Sequence, residues 1–433
     1  MKMKKMAATI ASLGIVASNA TFISMNASAA ETYTPVQGTE FKFGKYLVME
    51  NDASVPNVTF DFKVAPASGT DLNNSDESAF SLYAGPSGIK FKTDAEESVT
   101  VSGESDTNAQ VVFLSENETI PESERGDKTI SFITDSSRED EKYAEKTLTL
   151  DLSGVTFSKP GVYRYVITET AAGSIAGVKP DEENKRYLDY YVLADEDGNL
   201  RVEGHVFYVD STRKSTGFTN QYLTNNLIFE KKVTGNQGSK DKHFKFTVQL
   251  TNEDGLTVND DDVFKIIGNF EKEFETAEGS LYTTDVMEEA NNIDTITYAQ
   301  LKAGHDFYLC SGHNIEIKGI PLGLGYKITE YQEKYSPEAT FSSSSDSKTN
   351  DKDDEGTAID GITVTGDTSA ANTFYVQDSY LKNNTDVTFT NTLTGVIPTG
   401  ILMSVAGAAG IVAIGATGIV CGCFFAKKKS EED

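Results

Sequence analysis

The sequence predicts a mostly β chain, organised as two similar domains in tandem with an apolar segment at each end. Three observations predict it. Phe, Tyr, Val, Ile and Thr recur in short alternating runs, as half-buried strands require. One ordered set of motifs occurs twice, and the uncharged stretches long enough to meet a membrane are terminal.

At the start, Lys2, Lys4 and Lys5 precede an apolar stretch from about Met6 to Ile23, and Ala27-Ser28-Ala29 supplies the small residues that a signal peptidase requires. Residues 1–29 are therefore expected to be a signal peptide, and the mature chain to begin at Ala30. At the far end, Ile401 to Phe425 carries no charge and, at about 25 residues, is long enough to cross a bilayer as a helix. The lysines in residues 426–433 favour a cytoplasmic tail. Everything between is expected to face the outside.

Charge narrows what that ectodomain meets. Of 38 basic and 66 acidic residues, three lysines belong to the leader and three lysines and three acids to the tail. This leaves 32 against 63 and a net charge near −31. Such an excess argues against nucleic acid and anionic lipid as partners and favours solubility. With Cys421 and Cys423 in the apolar span, Cys310 is alone in the mature chain and no internal disulfide is available.

The duplicated pattern comes next. Its first copy contains Phe41-Lys42-Phe43-Gly44-Lys45-Tyr46-Leu47, Thr59 to Val64, Tyr165-Val166-Ile167-Thr168-Glu169 and Gly217-Phe218-Thr219-Asn220. Its second contains Leu227 to Val233, Phe244 to Val248, Tyr326-Lys327-Ile328-Thr329-Glu330 and Thr388-Phe389-Thr390-Asn391. The period is too long for a solenoid. It fits two domains, 30–222 and 223–395, with the boundary near Gln221 to Asn226.

Strand alternation then says where the polar members point. Side chains two apart share a face, so Lys45 lies in the row of Phe41, Phe43 and Leu47, and Lys231 in that of Leu227, Phe229 and Val233. By the same count Glu169 and Glu330 follow Tyr-x-Ile inward, and Asn220 and Asn391 follow Phe218 and Phe389. Each unpaired buried polar group costs a few kcal/mol. A hydrogen-bonded ion pair would explain one such trio, and the repetition favours chemistry instead.

The trio contains what amide formation needs. Burial lowers the pKa of an amine and raises that of a carboxyl, so a neutral lysine can face a protonated Glu. The amine attacks the Asn side-chain carbonyl while Glu moves protons and ammonia leaves. Holding the groups together supplies an effective molarity of about 10⁵ M or more, enough for one unaided turnover. The expected product is a Lys-Asn isopeptide bond in each domain.

The chain ends Val396-Ile397-Pro398-Thr399-Gly400, then the apolar span and the basic tail, an arrangement that resembles the cell-wall sorting signal of Gram-positive surface proteins. The resemblance implies cleavage by sortase between Thr399 and Gly400. The commonest form is Leu-Pro-x-Thr-Gly; here Pro398 directly precedes Thr399, a variant similar to that of some pilins read by pilin-class sortases.

Over about Phe41 to Gly400 the chain resembles the backbone pilins of the streptococcal T-antigen type. The resemblance implies two immunoglobulin-like (CnaB-like) β-sandwich domains. It also implies bonds Lys45–Asn220 and Lys231–Asn391, promoted by Glu169 and Glu330. Identical subunits would join head to tail through Thr399, and the polymer would be anchored finally to peptidoglycan. In such pilins the acceptor is a lysine just upstream of the first Asn. The ungapped equivalent is Arg213, which stays protonated. Lys214 fits with a one-residue shift, and Lys179 and Lys185 are rivals. The insertions at 65–138 and 252–303 are longer than the family pattern.

The remaining features read as ordinary surface or core. Arg125-Gly126-Asp127 matches an integrin-binding tripeptide by three residues alone, and Ser342 to Glu355 is a polar loop without calcium-loop spacing. His305, Cys310 and His313 flank an expected Ser311-Gly312 hairpin turn, which argues against a metal role. No cofactor motif and no multiple-turnover active site is predicted. The expected function is the shaft subunit of a covalent pilus, and the alternative is an accessory pilin or wall-anchored adhesin that binds a host ligand.

Overall fold

The computed structural model describes residues 32–72, 80–93, 99–102, 106–115, 141–170, 174–211, 213–270, 281–343, 363–366, 373–381 and 383–395. The expected leader, Arg125-Gly126-Asp127, the motif at 396–400, the apolar stretch 401–425 and residues 426–433 lie outside them. No helix among the described residues is long and apolar enough to cross a membrane.

The strands form where alternation is cleanest. In Val58–Pro66, Val58, Phe60, Phe62 and Val64 are buried while Thr59, Asp61 and Lys63 face water. Phe244–Thr251 repeats the pattern with Phe244, Phe246, Val248 and Leu250 inside. Turn chemistry separates them. Between Lys185–Ala194 and Leu200–Asp210, Asp195 accepts the amide of Asn199 on Oδ1 at 2.8 Å and Gly198 takes φ +79°, a left-handed conformation that glycine adopts without steric penalty.

The described residues of 32–222 form two large facing sheets and one short pair, Val36–Gln37 with Thr156–Phe157. One runs, in spatial order, Arg213–Lys214, Leu200–Asp210, Lys185–Ala194, Gly161–Thr170, Val58–Pro66, Asn108–Phe113, Val99–Ser102. The other runs Val178–Lys179, Gly217–Tyr222, Phe41–Glu50, Glu141–Asp151, Lys90–Lys92. Their inner faces share one core, from Phe43, Leu47, Phe60 and Phe62 to Tyr165, Ile167 and Phe218.

Residues 224–395 repeat the plan. A sheet Thr295–Thr297, Val263–Asn269, Asn314–Pro321, Thr224–Thr234, Thr385–Thr392, Ser336–Ser343 faces a sheet His305–Leu309, Phe244–Thr251, Gly325–Tyr331, Thr373–Asp378, Thr363–Gly366. The insertion at 252–303 contributes two short helices, Thr284–Asn291 and Tyr298–Ala303, the second opened by a Thr297/Gln300 capping box that satisfies two amide donors at the helix start. Only Leu223 separates the last strand of one unit from the first of the next.

The two units touch beyond that link. Gly177 N donates to Leu322 O at 2.8 Å, Asn57 donates twice to Oδ1 of Asp262 at 2.6 and 2.9 Å, and Lys318 meets Asp52 at 2.6 Å.

One expectation is corrected. A turn does form at Ser311-Gly312, closed by His313 N donating to Cys310 O at 3.0 Å, but it is not a hairpin. His305–Leu309 pairs with Phe244–Thr251 while Asn314–Pro321 pairs with Thr224–Thr234 and Val263–Asn269, so the turn carries the chain from one sheet to the other.

Candidate functional site: two buried lysine, glutamate and asparagine clusters

Each unit joins an early strand to its last strand in parallel. In the first, Lys45 stands opposite Phe218 and Asn220 lies two residues on; in the second, Lys231 stands opposite Phe389 and Asn391 lies two residues on. A two-residue step keeps both side chains on the same face, so lysine and asparagine point into the core from neighbouring strands. Glutamate arrives from the facing sheet, also at matching register: Glu169 opposite Phe62 and Glu330 opposite Phe246.

All six side chains are at most 2 % exposed. Lys45 Nζ lies 2.9 Å from Glu169 Oε2 and 2.5 Å from Asn220 Oδ1. Lys231 Nζ lies 2.7 Å from Glu330 Oε1, which also accepts the side-chain amide of Asn391 at 2.8 Å. The six residues read from the sequence are thus brought together in two triangles of the same composition.

Aromatic rings wall each triangle. Lys45 Nζ sits 3.8 Å above the centre of Phe60, and Lys231 Nζ 4.7 Å above that of Phe244, the ring at the equivalent register. Phe62 meets Phe218 edge-on at 5.3 Å and Phe246 meets Phe389 at 5.2 Å. Water is excluded, and charge is held at a penalty. Burial, working against the attraction of the neighbouring glutamate, brings Lys45 and Lys231 down to about 8, and burial likewise pushes Glu169 and Glu330 up. Both shifts move the pair toward neutral amine and neutral acid.

In the second triangle Glu330 Oε2 and Asn391 Oδ1 make no hydrogen bond among the described residues. Two bare acceptors in a dry site lack a donor. A proton on Glu330, favoured by its raised pKa, supplies one.

The first triangle has a support that sequence reading missed. Arg186 is buried, lies 4.5 Å over the Phe218 ring, and donates to Gly217 O at 3.0 Å and to Asp181 Oδ2 at 2.6 Å. The same Asp181 oxygen accepts Thr219 N at 2.7 Å. These bonds fix the strand that bears Asn220. Arg186 stands opposite Ile167, whereas Val376 stands opposite Ile328 in the second unit, so no repeated motif marks it. Close strand approach matters too: a Cβ on Gly217 would lie 1.9 Å from Gly44 O.

Other candidates stand apart. Lys214 is exposed on the edge strand Arg213–Lys214, and Lys179 is exposed on the edge strand of the opposite sheet. Lys185 is engaged by Asp71 at 3.0 Å. His305 turns to the carbonyl of Ala290 at 3.0 Å, and the structure instead sets His243 beside Cys310 and His313.

Comparison with known proteins agrees with this geometry. Residues 41–223 match the family described as "Spy0128-like isopeptide containing domain", and residues 225–393 match a domain of unknown function, DUF7601. A protein named "Pilin" from Streptococcus pyogenes serotype M1 is 28 % identical over 291 residues, 66 % of this chain and 72 % of the relative. Among solved structures, the major pilin of Streptococcus pyogenes is 21 % identical with a TM-score of 0.47, covering 83 % of this chain and 100 % of that one. The T-13 major pilin is 20 % identical with a TM-score of 0.40, at 83 % and 99 % coverage. Residues 41–223 are thus similar to the Spy0128-like isopeptide-containing domains, and the chain is similar to a streptococcal pilin over two thirds of its length.

Proposed function

We propose that this chain is the shaft subunit of a covalently polymerised pilus on a Gram-positive cell surface, each of its domains locked by a self-formed isopeptide bond. The observation that carries this reading is the duplication of one buried triangle at one register in both units, on parallel strands near the two ends of each domain. Lys45 joins Asn220, and Lys231 joins Asn391.

The reaction needs only what the triangle holds. The neutral amine attacks Cγ of the asparagine. Glutamate takes a proton from the amine nitrogen and delivers one to the departing Nδ2, so one C–N bond forms, one breaks and ammonia leaves. Glu330 is placed for this, since one of its oxygens contacts both the nucleophilic and the leaving nitrogen. The residues are consumed in a single turnover, so the chain is a structural protein and no multiple-turnover enzyme.

The bond gives mechanical meaning to the strand order. A pull between the ends of a unit passes from its last strand to its early strand through a covalent link, bypassing ladder hydrogen bonds worth about 0.5–1.5 kcal/mol net apiece. Closing a loop between residues 175 apart also removes roughly 5 kcal/mol of unfolded-chain entropy, by the loop-closure relation applied to disulfides. This suits a thread under tension.

Polymerisation proceeds through a pilin-class sortase that cuts after Thr399 and passes its carbonyl to Lys214 of the next subunit, with peptidoglycan as the final acceptor. The exposure of Lys214 supports the choice, and the engagement of Lys185 by Asp71 counts against that rival. Lys214→Ala tests it in the native host: the ladder of high-mass species in cell-wall extracts is expected to collapse to monomer. An unchanged ladder rules Lys214 out.

A further inference from the structure

Three donor groups of the second unit converge outside the triangle. His243 immediately precedes the strand Phe244–Thr251, while Cys310 and His313 bracket the turn that crosses between sheets. Their exposures are 2 %, 0 % and 0 %, and a ligand atom from each lies within 4.8 Å of the other two. The two imidazole rings stand 5.3 Å apart at 65°.

We propose that His243, Cys310 and His313 bind a single thiophilic transition-metal ion, with zinc as the first choice. A thiolate and two imidazoles form a donor set that suits zinc or copper and is poorly suited to calcium or magnesium. Around a tetrahedral zinc the ligand atoms stand about 3.3–3.6 Å apart, given bonds of about 2.0–2.3 Å. From separations of at most 4.8 Å, the cluster therefore needs to contract by up to about 1.2–1.5 Å. Binding replaces the thiol proton of Cys310, which leaves to solvent, with a sulfur–metal bond. The imidazoles bind through neutral lone pairs, no oxidation state changes, and a water completes the fourth position.

The backbone around the cluster gives the ion a structural consequence. Gly312 N donates to Lys231 O at 2.8 Å and Lys231 N to His313 O at 2.9 Å, so the ligand-bearing turn is bonded to the residue that carries the nucleophilic amine. A metal there ties the start of one sheet to this crossing and clamps the Lys231 strand. It also masks the thiol of Cys310 from oxidation outside the cell.

The test uses residues 30–399 prepared metal-free, with Zn(II) and Co(II) as probes. Equilibrium dialysis is expected to show one zinc per chain, lost in Cys310→Ser and in His243→Ala. Co(II) added to the unsubstituted chain is expected to give a thiolate-to-cobalt charge-transfer band, a readout that needs no variant to fold. Absence of stoichiometric zinc, zinc retained in both variants, or a Co(II) spectrum without that band overturns the proposal.

Discussion

Lys45 and Asn220 are 175 residues apart in sequence, yet Nζ of one lies 2.5 Å from Oδ1 of the other on adjacent parallel strands. Parallel neighbours cannot be joined by a tight turn. The contact exists because nearly the whole first domain is folded between them, which makes it a natural place for a covalent closure.

Removing either lysine separates the contribution of the bond from that of the fold. Lys45→Ala and Lys231→Ala are each expected to fall one ammonia below their own sequence mass, where the parent falls two below its own. Each is also expected to lower the Tm of its own domain by about 10–20 °C, from roughly 5 kcal/mol of closure entropy in a domain of this size. Calorimetry with parallel mass measurement checks both, and equal Tm values would count against the bond.

Glutamate is expected to be needed for the reaction and not for the architecture. Glu330→Gln keeps the size and a hydrogen-bonding head group but cannot relay a proton, a role worth about 10²–10⁴ in rate. The second domain should fold with its amide unformed while the first still loses its ammonia. Peptide mapping decides: a Lys231–Asn391 cross-link at normal yield after hours would remove Glu330 from the mechanism.

An unreacted triangle should respond to pH with a defined sign. In Asn391→Ala the lysine stays free. Folded Lys231 then titrates at about 8 against an ordinary value of 10.5. Between those values the unfolded chain holds a proton that the folded one has lost, so stability rises with pH across that window. Glu330, raised by burial, works the other way: stability falls as pH climbs from about 4.5 toward its folded value. Denaturation midpoints, compared with Lys231→Met/Glu330→Gln/Asn391→Ala as reference, should therefore pass through a minimum near neutrality. A flat difference between the two variants would contradict the burial of a neutralised pair.

Much of this was legible in the sequence because strands have a period of two. That period alone put Lys45, Glu169 and Asn220, and their counterparts, on inward faces, and the repeated strings exposed the duplication. Pairing between distant strands has no local signature, so the parallel register of Lys45 with Phe218 became visible only in the fold. Arg186 and Asp181 escaped notice because the second domain has Val376 at the arginine position and no repeat to flag it. His243 is 67 positions from Cys310, and assuming a hairpin at Ser311-Gly312 hid the crossing that brings the two together. The helix Tyr298–Ala303 is six residues long, too short for a helical period to show in the sequence, and is opened by its Thr297/Gln300 capping box.

The most direct measurement is the intact mass, under denaturing conditions, of residues 30–399 expressed without sortase. Two self-formed bonds predict a mass lower than the sequence value by two ammonia molecules, with cross-linked peptides joining Lys45 to Asn220 and Lys231 to Asn391. A mass equal to the sequence value would contradict the account and leave both triangles as ordinary buried ion pairs.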